Sequence, residues 1–253
     1  RLTAITGSNG KSTTKEMLRS IFEKSGPTCF NTGNLNNQFG LPLSLLELRE
    51  EHKFGVFELG ASKRGDILEI GALARPSVAV ITNIGPSHLQ YFGDLETVFN
   101  TKTELIDCLE PGGTLVYNSD DAYLKTLKTR NVKKLSFGHK DADISISDKG
   151  SGIELTYKDD AIAVELPSGI KHNYLNAAAA AAAAIASGLD LASIKAGLGS
   201  YTPPPMRMQV MTIKGATVVL DAYNANPSSM KAALDAVSTP AFAKPLYLAL
   251  GDM

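Results

Sequence analysis

The chain has 253 residues, 43% of them hydrophobic, with 25 Lys and Arg against 26 Asp and Glu and a formal net charge of −1. Such a length fits one large α/β domain or one domain with an appendage, and the even, interspersed charge argues against a nucleic-acid-binding tail or a membrane-surface patch. No apolar run reaches the ~20 residues of a membrane span, and the two cysteines, Cys29 and Cys108, have neither metal-ligand spacing nor a disulfide framework, so they read as free thiols of a reducing cytosol.

No signal peptide is visible. The chain opens at Arg1 on residues that already read as a strand, and it closes on another, so both ends read as cuts within a longer protein. "LTAIT" (2–6) is a short apolar strand, followed by a glycine loop and a helix over 11–24. "FGVFEL" (54–59) and "VAVITNI" (78–84) are apolar runs of strand length, as expected for strands buried on both faces of a parallel sheet. Helical patterns occupy 40–50, 65–73, 95–108 and 121–128, and "GTLVYN" (113–118) and "KKLSFG" (133–138) read as further strands. This alternation predicts a P-loop-containing α/β fold, a mostly parallel doubly wound sheet.

From Asp141 the pattern changes. "ADISISDKGSGIELTYKDDAIAVELPSG" alternates polar and apolar residues between turn signals, which predicts two or three antiparallel strands on the sheet edge. Helices follow over 173–187 and 190–198, the three prolines of "GLGSYTPPPMRMQ" break the pattern, and "ATVVLDAYNANPSSM" reads as strand, loop and then a helix over 227–237. "STPAFAKP" reads as a linker and "LYLALGDM" as the first strand of a further Rossmann-like domain.

Gly7-Ser8-Asn9-Gly10-Lys11-Ser12-Thr13 lies between a predicted strand and a predicted helix, the context a phosphate-binding loop requires. Glycines let successive N–H groups turn toward an anion, and the helix N-terminus adds partial positive charge. Lys11 can reach phosphates and Ser12 can offer a hydroxyl to Mg²⁺. The general G-x-x-x-x-G-K-[ST] pattern would place a glycine where this chain has Ile5, so the match is to the tighter G-x-x-G-K-[ST] core. A glycine-rich helix cap is the plainer reading, but a lysine followed by three hydroxyls (Ser12, Thr13 and Thr14) weighs against it. A kinase, a switch, a motor and a ligase all remain compatible with the loop.

Three further residues narrow the choice. Glu58 ends an apolar strand and would sit at the carboxyl edge of the sheet, where ligands bind in open α/β sheets. A hard carboxylate oxygen there suits Mg²⁺, although a solvated strand-end glutamate is common. His88 follows the next strand in "NIGPSHLQYFG" and reaches the same edge; taken alone it reads as a loop histidine with a structural hydrogen bond. Lys102, in "VFNTKTELI", taken alone reads as an ordinary exposed helix lysine.

Together, "ITGSNGKSTTKEML", "GNLNNQFGLPLSLL", "FELGAS", "VAVITNIGPSHLQYFGDLETVFNTKTELI", "HNYLNAAAAAA" and "LDAYNANPSSM" resemble the central ATPase domain of the Mur ligases over nearly the whole chain. The loop, the glutamate and the His-Lys segment are shared with folylpolyglutamate synthases. "GNLNNQFGLPLSLL" and "DAYNANP" point to the branch that adds D-alanyl-D-alanine to UDP-N-acetylmuramoyl-tripeptide in peptidoglycan precursor synthesis.

The resemblance implies that a substrate carboxylate attacks the γ-phosphate of ATP and that an amine then attacks the resulting acyl phosphate. It implies that Lys11 holds phosphate, that Ser12 or Thr13 with Glu58 bind a first Mg²⁺, and that His88 binds a second. Lys102 matches a lysine carbamylated by CO₂, whose carboxylate would ligate a metal where an ammonium would repel it. Asn224 and Asn226 match adenine recognition, with a plain Asn-Pro turn as the other reading. Arg207 matches an arginine near the nucleotide, and Asn34, Asn36 and Asn37 the muramyl-peptide side, where loop structure is the alternative. The implied organisation is a central ATP-binding domain over 1–237, then a linker and first strand of a C-terminal ligase domain over 238–253, with no N-terminal UDP-binding domain. A cytoplasmic monomer is expected. A related amino-acid ligase and a nucleotide-dependent switch or binding module are the alternatives.

Overall fold

The computed structural model describes all residues except 87–88, 130, 151, 167–172, 239–241, 243 and 252–253. Its main sheet has nine strands: β1 Leu2–Thr6, β2 Thr28–Phe30, β3 Phe54–Glu58, β4 Val78–Ile81, β5 Thr114–Asn118, β6 Lys133–Gly138, β7 Ile144–Asp148, β8 Ile153–Tyr157 and β9 Asp160–Val164. They lie in the order β2-β3-β1-β4-β5-β6-β7-β8-β9. Pairing is parallel from β2 through β7 and antiparallel for β8 and β9. The expected doubly wound sheet with a small antiparallel extension is present.

The helices are α1 Lys11–Glu23, α2 Gly40–Leu45, α3 Asp66–Ala74, α4 Leu89–Phe92, α5 Leu95–Asp107, α6 Asn173–Ala186, α7 Leu191–Gly199 and α8 Pro227–Val237. Alternation along the strands splits the core in two. Ile5, Val56, Val80 and Val116 face α1, α6 and α7, whereas Ala4, Phe57, Ala79 and Leu115 face α3 and α5. Every residue of the tract Ala177–Ala184 is sealed from solvent. A helix apolar all round is a buried helix, and methyl side chains let α6 lie close to both α1 and the sheet.

The crossover from β1 to β2 passes β3 on one side, and the chain later returns to the other side of β1 as β4. β1 is therefore the switch point, and the loops after β1, β3 and β4 share one crevice at the carboxyl edge. A separate antiparallel pair, β10 Gln209–Ile213 and β11 Ala216–Leu220, precedes α8.

Several sequence expectations change. The helix expected over 40–50 ends at Leu45, and that over 121–128 is a single 3-10 turn, Leu124–Thr126, at whose start Asp121 accepts from the N–H groups of Tyr123 and Leu124. The strand expected over 78–84 stops at Ile81, since residues 82–85 turn to bond the glycine loop. Residues 246–250 form no strand: they find no ladder partner among the described residues, and Leu246, Tyr247, Leu248 and Leu250 stay exposed. A strand is stabilised by its neighbour rather than by its own propensity. Cys29 and Cys108 are free and buried, as expected.

Candidate active site

The glycine loop joins β1 to α1 at the switch point. Gly7 takes φ 142 and faces Thr82, while Gly10 takes φ 81 against the side chain of Asn176; a Cβ at either would collide. The bend that a glycine at position 5 would give comes from Gly7 instead, so Ile5 remains a buried strand residue.

The loop after β4 holds the glycine loop open. Asn83 pairs its side-chain amide with the peptide of Asn9: Oδ1 accepts from the Asn9 N–H at 2.9 Å and Nδ2 donates to the Asn9 carbonyl at 3.0 Å. Thr82 Oγ1 donates to the same carbonyl at 2.6 Å, and the Ser8 N–H donates to the Asn83 carbonyl at 3.0 Å. No side chain caps α1 and its first turn carries no acidic residue. Its N-terminus thus presents free N–H groups and partial positive charge to an anion.

Lys11, the first residue of α1, curls back over the loop. Its Nζ donates to the Gly7 carbonyl at 2.9 Å and to the Ser8 carbonyl at 3.2 Å. Burial lowers its pKa, the Glu58 carboxylate opposes that shift, and the Arg207 guanidinium adds to it. Glu58, 4% exposed, sits beside it at the end of β3. Ser12 Oγ donates to Glu58 Oε2 at 2.7 Å and Asn36 Nδ2 donates to Oε1 at 2.9 Å. Because the Ser12 proton points at the carboxylate, the hydroxyl keeps lone pairs for a cation. At present Arg207 Nη2 donates to that oxygen at 3.0 Å, with its guanidinium 4.1 Å from the centre of the Tyr223 ring. Ser12 and Glu58 are two hard oxygen groups of the kind Mg²⁺ takes, together with phosphate oxygens and water. Thr13 instead faces the neighbouring cavity.

Lys102 is not the exposed helix lysine its surroundings in sequence imply. It is 2% exposed on α5, its ammonium makes no hydrogen bond or ion pair among the described residues, and the Phe92 ring lies 5.7 Å from it. Burial first, and Lys11 next, pull its pKa down to about 7, opposed by Asp66, Glu58 and Glu104. His88 lies outside the described residues.

A cavity of about 240 Å³ opens beside the loop, lined by Gly10, Thr13, Asn118, Asn176, Tyr201 and Asn224 among others. Its amides offer paired donors and acceptors. The Asn224 Oδ1 accepts from the Ala225 N–H, and its Nδ2 makes no hydrogen bond among the described residues. Asn226 serves differently from Asn224. Its Oδ1 caps α8 by accepting from the Ser229 N–H, and its Nδ2 donates to Asn9 Oδ1 at 2.8 Å, which ties the C-terminal segment to the glycine loop.

The "GNLNN" asparagines are also separated by the fold. Asn36 reaches Glu58, Asn37 caps α2 by accepting from the N–H groups of Phe39 and Gly40, and Asn34 is exposed. Sequence reading missed Asn31, Asn83 and Asn176. Asn83 was accessible in principle, as a polar residue just past an apolar parallel strand at the ligand-binding edge; Asn31 and Asn176 carry no comparable local signal.

A model of the Mur ligase middle domain matches residues 5–184, and one of the Mur ligase glutamate ligase domain matches residues 206–253. The UDP-N-acetylmuramoyl-tripeptide–D-alanyl-D-alanine ligase of Bacillus subtilis is 37% identical over 100% of this chain and 56% of its own length. The enzyme of that name from Escherichia coli is 34% identical over 100% of this chain and 58% of its own length. The chain thus spans little more than half of these relatives. A crystal structure of MurF from Acinetobacter baumannii superposes with a TM-score of 0.89 at 36% identity, covering 94% of this chain and 54% of that one. A MurF ligase from Thermotoga maritima in complex with ADP gives 0.82 at 32% identity, covering 93% and 56%.

Proposed function

The chain belongs to the Mur ligase family, and from that premise we propose that it carries the nucleotide site of an ATP-dependent ligase that joins D-alanyl-D-alanine to UDP-N-acetylmuramoyl-tripeptide. The observation that carries this reading is the Ser12–Glu58 pair, 2.7 Å apart at the uncapped N-terminus of α1. A kinase or a switch shares such a loop; the buried Lys102, with no hydrogen bond or ion pair among the described residues, supports the ligase reading, which needs a way to neutralise an anion attacking an anion.

When bound, ATP would supply the phosphoryl group that activates a substrate carboxylate, and Mg²⁺ would neutralise the charge that accumulates during transfer. Lys11 exchanges the carbonyls of Gly7 and Ser8 for phosphate oxygens, which restores the full hydrogen bonding of an ammonium. Ser12 and Glu58 hold the cation in the manner described. The cavity beside the loop takes the nucleoside, with the free Nδ2 of Asn224 as a donor to a base edge and Asn226 as a tether rather than a reader.

Lys102 acts as a metal-facing carboxylate once carbamylated. With its pKa at about 7, a large fraction of the amine is neutral at neutral pH. The neutral nitrogen attacks the carbon of CO₂, an N–C bond forms, and one N–H proton leaves to solvent. The product is an anion, which among the neighbouring carboxylates of Glu58, Asp66 and Glu104 requires a cation beside it. His88 is the proposed ligand of a second cation, and Asn34, Asn36 and Asn37 lie on the proposed muramyl-peptide side, of which Asn36 acts through Glu58.

The nucleotide unit runs from residue 1 to residue 237, and 238–253 opens the next domain. Arg207 and Asn226 belong to the working site, since they bond Ser12 and Asn9. No helix among the described residues is long and apolar enough to cross a membrane, and a cytoplasmic monomer is the proposed state. The test is phosphate release by the full-length protein. Release should need UDP-N-acetylmuramoyl-tripeptide and D-alanyl-D-alanine together. Equal release with neither substrate, or with a folate acceptor and an amino acid, would overturn the assignment.

A further inference from the structure

We infer that Asn31, backed by Lys15, is a positioning residue that fixes the Glu58 carboxylate for its cation. The inference rests on the metal role proposed for Glu58. β2 pairs with β3 only as far as Phe30 opposite Val56. Beyond that point its backbone leaves the sheet, yet the ladder is continued by a side chain. Asn31 Oδ1 accepts from the Glu58 N–H at 2.9 Å, and Asn31 Nδ2 donates to the Glu58 carbonyl at 2.9 Å. The same Nδ2 donates to the Leu35 carbonyl at 2.8 Å, so the amide is fully engaged. Asn31 is 1% exposed.

The backbone of Asn31 is held in turn. The Lys15 ammonium, at a side chain 2% exposed, donates to the Asn31 carbonyl at 2.5 Å and pairs with Glu16 at 2.9 Å. Lys15 lies on α1 less than one turn beyond Ser12. The bonds therefore close a ring: Ser12 to Glu58, Glu58 to Asn31, Asn31 to Lys15, and back along the helix to Ser12. Both oxygen groups proposed for the cation are members of that ring, and their separation is set by all of its links.

A lysine so enclosed costs desolvation and side-chain entropy, and neither it nor Asn31 touches the cavity beside the loop. Holding Glu58 still is what the arrangement accomplishes. Supporting groups of this kind typically change metal affinity by 10–100-fold when removed.

The test is ADP binding to the full-length protein by calorimetry, titrated with and without Mg²⁺, for wild type, Asn31→Ala and Lys15→Met. Wild type should bind ADP more tightly with Mg²⁺. Asn31→Ala should move the Mg²⁺ midpoint up roughly tenfold or more while ADP affinity in EDTA stays within a factor of two. Lys15→Met should shift the midpoint in the same direction by less, and it decides the matter if Asn31→Ala does not fold. An unchanged Mg²⁺ midpoint in a folded variant, or an equal loss of affinity with and without Mg²⁺, overturns the positioning role. If wild type itself shows no Mg²⁺ dependence, it is the metal role of Glu58 that falls, and the outcome is told apart by that control.

Discussion

Replacing Lys102 by Met removes a buried charge that makes no hydrogen bond or ion pair among the described residues. The lysine is 2% exposed and its pKa falls from 10.5 to about 7. An unfolded lysine keeps its proton up to the ordinary value, whereas the folded one releases it near 7. Between these two the unfolded chain binds more protons, so stability rises with pH across that window. Below pH 7 the whole penalty is present. Each pH unit corresponds to about 1.4 kcal/mol, which sets an upper bound of about 5 kcal/mol, and local relaxation and water entry bring the expected value to roughly half of that.

Urea denaturation in CO₂-free buffer should therefore find Lys102→Met more stable than wild type by about 2–3 kcal/mol at pH 6.5. The gap should shrink by about 1–2 kcal/mol by pH 9, because the wild-type amine is then largely neutral in the folded state. Bicarbonate added at pH 8 should stabilise wild type and leave the variant unchanged. If the two stability profiles run parallel from pH 6.5 to 9, or if the variant is the less stable at pH 6.5, the Lys102 charge is compensated within the fold, which refutes the reasoning from its lowered pKa.

Other substitutions probe the loop and its neighbours. Asn83→Ala removes both hydrogen bonds to the Asn9 peptide; ADP affinity measured by calorimetry should drop by about 1–3 kcal/mol with little change in secondary structure. Gly10→Ala places a side chain at φ 81 against Asn176 and should cost about 1–3 kcal/mol of stability in urea, with nucleotide binding lost. Glu58→Gln keeps the shape but removes the charge beside Ser12; the Mg²⁺-dependent part of ADP affinity should fall roughly tenfold or more while binding in EDTA changes little.

The elements that carry the site were those with strong local signatures. β1, the glycine loop and α1 form one contiguous strand–loop–helix, and Glu58 is marked by the apolar run that it ends. The alanine tract of α6 reads as a helix because its propensity and its burial agree. β2 has only three residues and no periodicity of its own, so pairing with β3 decides it. The run from 246 to 250 has the converse fate, with strand-like residues and no partner.

Within the site, the limit was distance along the chain. Lys102 stood out only through the family resemblance, since a helix lysine looks exposed until α4 closes Phe92 over it. The amide of Asn83 meets a loop 74 residues earlier, and the fork of Arg207 meets a hydroxyl 195 residues earlier. Nothing in a local window encodes such meetings. Of the three neighbouring asparagines only Asn36 has a distant partner, Glu58, 22 residues on; Asn37 bonds the local start of α2 and Asn34 faces solvent.

The guanidinium of Arg207 on the Ser12 hydroxyl has a consequence for the order of events. Two cations on one oxygen repel, so a divalent ion at the Ser12 hydroxyl, as proposed, and the guanidinium now 3.0 Å from it compete for the same lone pairs, and whichever group holds that oxygen sets whether residue 207 stays tied to the first turn of α1.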